Sequence, residues 1–208
     1  MVQPSDNADA VILATKQFTT RELFQLSASR VTVSTVAPTP ASFMKFVNAS
    51  CVLAWSVHAA TDTLRKQLVP TTRYTIHELR QGLIDTLLLR PPNFLRTVMI
   101  EVALIDQIND SIQNAEDMAL LVRGLVDAVP CCKVMVNLIP YNDINSQQLI
   151  SHKAKLYCKP IMDRVLQYQK HLWSLGVYTH VRVTRGDDES AACGQLVTIK
   201  KQKTTTKG

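Results

Sequence analysis

RTVMIEVALI, residues 96–105, has the pattern of a buried β-strand, and the residues after it decide the fold class. A segment of helical periodicity, NAEDMALLVRGLVDAV (114–129), follows it, and a second β-branched run, KVMVNLI (133–139), comes next. Apolar runs of this length are typical of strands, and the longer periodic segment is typical of a helix. The order strand, helix, strand predicts two parallel strands joined by a right-handed crossover.

The same alternation extends in both directions from this unit. RVTVSTV (30–36) and CVLAWSV (51–57) precede it, with ASFMKFVNA (41–49) as a short helix between them, and YTHVRVT (178–184) follows it. The fold class predicted is therefore α/β with a mostly parallel sheet. An open sheet and part of a barrel both fit this pattern.

Three longer segments predict amphipathic helices: TIHELRQGLIDTLLL (75–89), the segment 114–129, and PIMDRVLQYQKHLWSLG (160–176). Pro160 is tolerated at a helix start, and Gly176 favours a stop. The residues expected on the buried faces are Ile76, Leu79, Leu83 and Leu87 in the first helix, Met118, Leu121, Leu125 and Val126 in the second, and Ile161, Val165, Tyr168, Leu172 and Leu175 in the third.

Parallel sheets bind ligands at the carboxyl ends of their strands, so polar residues at those ends are candidate site residues. Each also has a structural explanation, since a strand serine or a loop histidine often does no more than satisfy its own hydrogen bonds. The long segment 139–160 carries lysines that fit phosphate contacts, although a solvated loop explains them more simply. The strand-end candidates are Ser34, Thr35, Ser56, His58, Asp106, Asn137, Asn142 and Arg185, and the loop lysines are Lys153, Lys155 and Lys159.

Composition and length exclude several classes of protein. With 208 residues, of which 46% are hydrophobic, the chain can bury one sizeable core. No apolar run approaches the roughly 18 residues of a membrane span. The N-terminal MVQPSDNADAV lacks the basic flank of a signal or transit peptide. A soluble cytoplasmic protein with no membrane partner is expected, and an organellar location is left open.

The net charge of +6 suits a polyanionic partner such as RNA. Four of these charges belong to the tail KKQKTTTKG (200–208), so the rest of the chain is close to +2. The charge alone is therefore weak support for RNA binding.

The five cysteines do not suggest a disulfide framework or a zinc site, because their number is odd and their spacings form no such motif. Cys51 is predicted to be buried, and Cys131 and Cys132 are predicted to pack at a helix end. Cys193 differs, because it lies among small and polar residues in TRGDDESAACGQL (184–196). A position in a first helical turn favours the thiolate, whereas the three preceding acids oppose it.

Three stretches resemble signature stretches of the RlmN/Cfr-type radical SAM methyltransferases: SVHAATDTLRKQLVP (56–70), VNLIPYN (136–142) and VRVTRGDDESAACGQL (181–196). RVTVSTV and TVMIEVALIDQIND (97–110) match the same family in the same order. The resemblance runs from about residue 8 to residue 199, and TRGDD followed by AACGQL is its most specific part.

The resemblance implies methylation of carbon 2 of an adenine in large-subunit rRNA, and in some members also in tRNA. In the family, one S-adenosyl-L-methionine (SAM) methylates the cysteine that corresponds to Cys193. A second SAM, bound to a [4Fe–4S] cluster, is cleaved to a 5′-deoxyadenosyl radical. That radical takes a hydrogen from the methyl group on the cysteine, and the resulting carbon radical adds to the adenine. A second cysteine resolves the adduct, and an electron donor for the cluster is a further implied partner.

Carried over residue by residue, the resemblance assigns Cys193 as the catalytic methyl carrier and five residues to SAM binding. Four of those five are among the strand-end candidates, and Val57 is the addition. The implied SAM-binding residues are Ser34, Ser56, Val57, His58 and Asn142.

The family's CxxxCxxC motif, its GEP-type stretch, its acid/base glutamate and its resolving cysteine do not occur in this sequence. The resemblance therefore implies an incomplete radical SAM (βα)6 partial barrel that lacks its first two βα units, carries a C-terminal extension strand and has no cluster ligands. The implied division is a partial barrel over 1–145, with strands near 31–36, 52–57, 97–105 and 133–139; an inserted loop, helix and C-terminal strand with the carrier-cysteine loop over 146–199; and a basic tail over 200–208. RVTVSTV would then be an exposed apolar edge strand.

Two hypotheses follow for function. The first is a methyltransferase of this type, represented by a portion that is inactive alone and needs a missing N-terminal half. The second is a degenerate, non-catalytic relative that binds RNA or a protein. Retention of Cys193 in its full motif favours the first, because a binding module needs no carrier thiol.

Overall fold

Five parallel strands form one sheet in the computed structural model, which describes residues 3–142 and 157–182. Each strand pairs with its neighbour in the chain, in the order β1-β2-β3-β4-β5. Right-handed crossovers between sequential parallel strands keep every connecting helix on one face of the sheet. This is the winding of a barrel, and it decides between the two arrangements that the sequence left open. The strands are β1 (Thr32–Thr35), β2 (Val52–Ser56), β3 (Thr97–Leu104), β4 (Lys133–Pro140) and β5 (Thr179–Val181).

Six α-helices accompany the sheet in the described part of the chain. The start of α4 is fixed by a capping box, in which Thr75 accepts from the N–H of Glu78 and Glu78 accepts from the N–H of Thr75. Gly176, with a φ of 78°, lies directly after the C-cap of α6, as its predicted stop role requires. The helices are α1 (Ala8–Thr19), α2 (Ala41–Met44), α3 (Asp62–Leu68), α4 (Ile76–Leu89), α5 (Ile112–Ala128) and α6 (Met162–Ser174).

The two faces of the sheet differ in burial. Along β3, buried and half-buried residues alternate strictly, because successive side chains of a strand point to opposite faces. The buried set packs with α4, α5 and α6 in a single hydrophobic core. The half-buried residues of the strands include Ser34 on β1, Ser56 on β2, Glu101 on β3 and Asn137 on β4. We call the face of the sheet that carries them the polar face.

The predicted helical faces are correct for α4, whose four expected residues are all buried, and wrong for one residue of α5 and for the residues at both ends of α6. Val126 is 44% exposed, Ile161 63% and Leu175 36%. Ile161 and Leu175 are the N-cap and C-cap of α6 rather than members of its buried stripe. Val126 directly follows the buried Leu125, and a step of one residue turns the side chain by about 100° around the helix.

The strand in RVTVSTV is an edge strand as predicted, since among the described residues β1 pairs only with β2, but its apolar side chains are not exposed. Val31 and Val33 are 8% and 6% exposed, because they face the core rather than solvent. Residues of α1, a helix that the sequence analysis did not predict, pack against the same core through Ala8, Val11 and Ile12. One main-chain donor at the end of this edge strand is paired, since the side-chain carbonyl of Gln3 accepts from the N–H of Val36 at 3.2 Å.

Other details of the prediction change in the structure. The helix predicted over 41–49 is confined to Ala41–Met44. Cys51 is buried and the half-buried Cys132 packs against the core, as predicted, but Cys131 is exposed at a sharp turn of the chain, with a φ of 61°. No helix in the described ranges is both long enough and apolar enough to cross a bilayer.

The predicted boundary near residue 145 lies outside the described residues, and the three-part division stays a prediction. β5, from the second predicted part, pairs with β4, from the first, so both contribute to one sheet.

Candidate functional site

A row of polar residues crosses the polar face at one level of the sheet. Ser56 is the register partner of Glu101, Glu101 of Asn137, and Asn137 of His180. Register partners in adjacent parallel strands present their side chains on the same face. The strands therefore bring together residues that are far apart in sequence.

Ser34, Ser56 and Glu101 form a compact hydrogen-bonded cluster, which we call the serine–glutamate cluster. The two serine Oγ atoms lie 3.1 Å apart. Ser56 donates to Oε2 of Glu101 at 2.9 Å, and Ser34 donates to the same oxygen. Either serine could donate to the other across the 3.1 Å contact, but the carboxylate is the stronger acceptor. With both hydroxyl protons on Glu101, the cluster presents only lone pairs to a ligand.

Glu101 was not among the sequence-derived candidates. The signal that could have found it is an acid in the middle of the apolar strand RTVMIEVALI, where a charge is unfavourable without a purpose. Its main-chain carbonyl also accepts from the N–H groups of Val57 at 3.0 Å and His58 at 3.3 Å. Glu101 thus holds the end of β2 through its backbone and the serines through its side chain.

His58 follows β2 in a left-handed conformation, with a φ of 59°. Its Nδ1 accepts from the N–H of Ala103 at 3.1 Å, and its carbonyl accepts from the side-chain amide of Asn109 at 2.7 Å. Burial, with the nearby Arg65 guanidinium, lowers the pKa of His58 to about 4, and Glu101 opposes this. The imidazole is therefore neutral at neutral pH and carries its proton on Nε2.

The side chain of Arg65 links the carboxyl ends of β1 and β2. Its guanidinium donates to the carbonyls of Val36, Ser56 and Val57 and lies 5.5 Å from the ring centroid of Trp55. Burial lowers its pKa to about 10, so it remains charged at neutral pH. These three hydrogen bonds, which we call the arginine clamp, fix the spacing of the two strand ends that carry the candidate residues.

A cavity of about 400 Å³ opens beside His58, at the ends of β1 and β2. It is lined by polar and apolar residues, which is typical of a site for a small organic ligand. Its volume falls within the usual range of a few hundred cubic ångströms for such sites. The residues that line it are Gln3, Asp6, Val36, Pro38, His58, Leu68, Val69, Pro70 and Thr71.

The other predicted SAM-binding residues have different surroundings. Val57 is fully buried in the core, and its N–H and carbonyl are engaged by Glu101 and Arg65. Asn142 is half-buried and lies two residues beyond the end of β4. Among the described residues, no hydrogen bond joins Asn142 to Ser34 or Ser56. The predicted role of each in SAM binding stays a prediction.

The candidates Thr35 and Asp106 do not join this cluster. Thr35 is 3% exposed and points to the opposite face from Ser34, where it accepts from the N–H of Ala37. Asp106 lies near Arg164, with 3.9 Å between Oδ1 and Nη1. Cys193 and Arg185, together with Lys153 and Lys155, lie outside the described residues.

The described cysteines do not fit an iron–sulfur cluster. Cys51 is buried, and burial raises the pKa of its thiol. Burial also raises the pKa of Cys132 to about 11, which opposes the thiolate that a cluster needs. Across residues 3–142 and 157–182, no three His, Cys, Asp or Glu side chains lie close enough to hold a metal.

The sequential parallel sheet, with helices on one face and a polar site at its strand ends, has the fold of a partial radical SAM barrel. A domain of a pyruvate-formate lyase-activating enzyme from Bacteroides vulgatus shares the fold, with a TM-score of 0.60 over 88% of this chain and 96% of that domain, at 14% identity. A radical SAM methyltransferase from Sphaerobacter thermophilus is closer in sequence, with 33% identity, a TM-score of 0.73, and coverage of 94% of this chain and 52% of that one.

The dual-specificity RNA methyltransferase RlmN of Campylobacter lari is 32% identical over 198 residues, which are 94% of this chain and 50% of that protein. No family model matches the chain. The predicted resemblance to the RlmN/Cfr-type radical SAM methyltransferases is confirmed: the chain is a relative of these enzymes and spans about half the length of those it matches.

Proposed function

We propose that this chain is the SAM-binding C-terminal portion of a radical SAM RNA methyltransferase that methylates carbon 2 of an adenine in large-subunit rRNA or in tRNA. The observation that carries the proposal is the 3.1 Å contact between Ser34 and Ser56. Both serines were assigned to SAM from separate stretches of sequence, and they meet on the polar face. The cavity at the ends of β1 and β2, large enough for part of a nucleoside, is lined by His58 of the same set but by neither serine.

SAM would supply the methyl group for this chemistry. In the proposed site, the lone pairs of Ser34 and Ser56 accept from donor groups of SAM, and the Nε2–H of the neutral His58 donates to an acceptor group. Asn142 contributes its carboxamide from the end of β4, and Val57 contributes packing. Cys193 is the proposed methyl carrier.

The [4Fe–4S] cluster and its electron donor are proposed to belong to another polypeptide segment, because the described cysteines do not fit one. A missing N-terminal half, joined to this chain or separate from it, is the proposed source. The proposed location of the complete enzyme is the cytoplasm, where its RNA substrate is found.

Isothermal titration calorimetry of the purified chain with SAM tests the binding step. We expect saturable binding that weakens by about 10-fold or more in the Ser34→Ala, Ser56→Ala double variant, because two hydrogen bonds at a half-buried site are lost. Ser174→Ala, on an exposed position at the end of α6, is the matched control and should bind like the wild type. Wild-type protein that binds no SAM would contradict the proposal.

The methyl transfer is tested by joining this chain to the cluster-bearing part of the Campylobacter lari relative and measuring methylated adenine in RNA by mass spectrometry. We expect methylation with the native chain and none with Cys193→Ala. SAM and RNA binding without methylation, in a fusion whose cluster is intact by its absorption spectrum, would instead support the non-catalytic relative.

A further inference from the structure

Glu101 lies at the centre of the serine–glutamate cluster. We propose that Glu101 is a positioning residue that orients the hydroxyls of Ser34 and Ser56, so that this part of the site selects hydrogen-bond donors of SAM, either hydroxyl or ammonium groups. The inference rests on the proposed function and deepens it, because it names the side chain that makes this part of the SAM site a hydrogen-bond acceptor.

The first step of the argument is the direction of the hydrogen bonds. A serine hydroxyl has one proton and two lone pairs, and it can turn to donate to a ligand or to accept from one. Both hydroxyls can donate to Oε2 of Glu101, at 2.9 Å from Ser56 and at short range from Ser34, and the competing orientation is donation from one serine to the other across 3.1 Å. A carboxylate only accepts, so it leaves the serines no alternative orientation of equal energy.

The second step is the charge. Glu101 is half-buried, and within the described ranges no arginine or lysine forms an ion pair with it. Arg65, the buried cation nearest the cluster in the hydrogen-bond network, directs its guanidinium to main-chain carbonyls instead. The cluster therefore carries a negative charge on the polar face, which favours a ligand group that donates a proton or carries positive charge.

The third step separates positioning from a purely structural role. β3 is held in the sheet by main-chain pairing with both neighbours, and its other face supplies the core residues. The side chain of Glu101 is not needed for either contact. Its hydrogen bonds instead join two side chains that lie 67 and 45 residues away in sequence.

A double-mutant cycle on SAM affinity tests this, with calorimetry on the wild type, Glu101→Gln, the Ser34→Ala, Ser56→Ala double variant and the triple variant. We expect Glu101→Gln to weaken SAM binding by about 10-fold or more in the native background. In the variant without the serine hydroxyls, the same change should weaken it by less than about 3-fold. Asp127→Asn, an exposed carboxylate on α5, is the control for loss of one charge.

Two ligand analogues identify the donor group. S-adenosylhomocysteine keeps both the ribose and the ammonium group, and 5′-methylthioadenosine keeps only the ribose. A loss of affinity for both analogues in Glu101→Gln supports contact with ribose hydroxyls, and a loss for S-adenosylhomocysteine alone supports contact with the ammonium group. If Glu101→Gln is unfolded by circular dichroism, Glu101→Asp, which withdraws the carboxylate by one methylene, takes its place in the cycle.

The outcomes separate the two proposals. Wild-type protein that binds none of the three ligands overturns the proposed function and this inference with it. Normal SAM binding by the wild type, with unchanged affinity in a folded Glu101→Gln, overturns the positioning role alone. An equal loss of affinity in the presence and absence of the serine hydroxyls also overturns it, because Glu101 would then act by another route.

Discussion

The Nδ1 atom of His58 accepts a hydrogen bond of 3.1 Å from the main-chain N–H of Ala103. This bond crosses from the end of β2 to β3 and needs an unprotonated Nδ1. Protonation of the ring would put a proton against an N–H donor, and burial opposes the charged form as well. The structure therefore holds His58 as a neutral imidazole of one tautomer.

A first prediction concerns the pH dependence of stability. The pKa of His58 is lowered from 6.5 to about 4 in the fold, so between these values the unfolded chain binds more protons. The free energy of unfolding should therefore fall as pH falls from about 7 to about 4, with a contribution from His58 of at most about 3 kcal/mol. Urea denaturation at several pH values measures this.

His58→Gln is the comparison for that prediction, since an amide oxygen can still accept from Ala103 but does not titrate. The difference in unfolding free energy between wild type and variant should grow more favourable to the variant as pH falls. A constant difference across the range would show that His58 does not titrate with a lowered pKa.

A second prediction concerns Arg65. Lysine in its place keeps a positive charge but loses the planar fork that reaches three carbonyls at once. We expect Arg65→Lys to lower the unfolding free energy by about 2 kcal/mol. Lys66→Gln, at the exposed neighbouring position, should change it by less than about 0.5 kcal/mol. Equal effects of the two substitutions would argue against the arginine clamp.

A third prediction concerns the pair between Asp110 and Arg164, whose side chains meet at 3.0 Å through both carboxylate oxygens. Burial raises the pKa of Asp110 although Arg164 lowers it, so the desolvation of the carboxylate outweighs the ion pair. Arg164→Met should therefore destabilise by about 3 kcal/mol, because it leaves a buried charge without its partner.

Asp110→Asn removes that charge and should destabilise by less than Arg164→Met. Because the folded pKa of Asp110 is above its ordinary value, its contribution to stability falls as pH rises through that range. Chemical denaturation of both variants tests the order, and a larger loss in Asp110→Asn would contradict it.

A fourth prediction compares two helical glycines. A Cβ on Gly82 would lie 2.5 Å from the carbonyl oxygen of Pro40, where α2 packs closely on α4. A Cβ on Gly124 would meet only the movable end of the Arg80 side chain. We expect Gly82→Ala to destabilise by about 1–3 kcal/mol. Gly124→Ala should be neutral or stabilising by up to about 1 kcal/mol, because alanine is the better helix former.

Thermal melts of the two alanine variants decide this prediction, since the substitution is the same in both. A melting temperature that rises equally in the two would mean that helix propensity, rather than the contact with Pro40, controls the result.

Much of the fold could be predicted from local patterns. Four of the five strands lie within the predicted runs, and β4 extends one residue beyond its run. The helices α4, α5 and α6 lie near the predicted segments, because apolar periodicity records which side of an element faces the core. The cap positions Ile161 and Leu175 were wrongly placed on a buried face because periodicity does not show where a helix ends. The helix α1 was missed, although Ala8, Val11 and Ile12 have the i, i+3, i+4 spacing of one helical face.

The candidate site could be predicted in part. Ser34, Ser56 and His58 were selected because polar residues at the ends of parallel strands share one edge of the sheet. Thr35 was selected by the same rule and lies on the opposite face from Ser34, because neighbouring residues of a strand alternate between faces. Glu101 lies within its strand rather than after it, so a rule based on strand ends could not find it.

The sequence by itself determined the order of elements, the parallel sheet and the resemblance to the RlmN/Cfr-type methyltransferases, because these depend on local periodicity and on short motifs. Only the tertiary structure decided that the sheet winds as a barrel, that Glu101 receives the protons of Ser34 and Ser56, and that His58 is held as one neutral tautomer. Each of these depends on strand register and on contacts between residues at least 22 positions apart, which no local pattern of residues encodes.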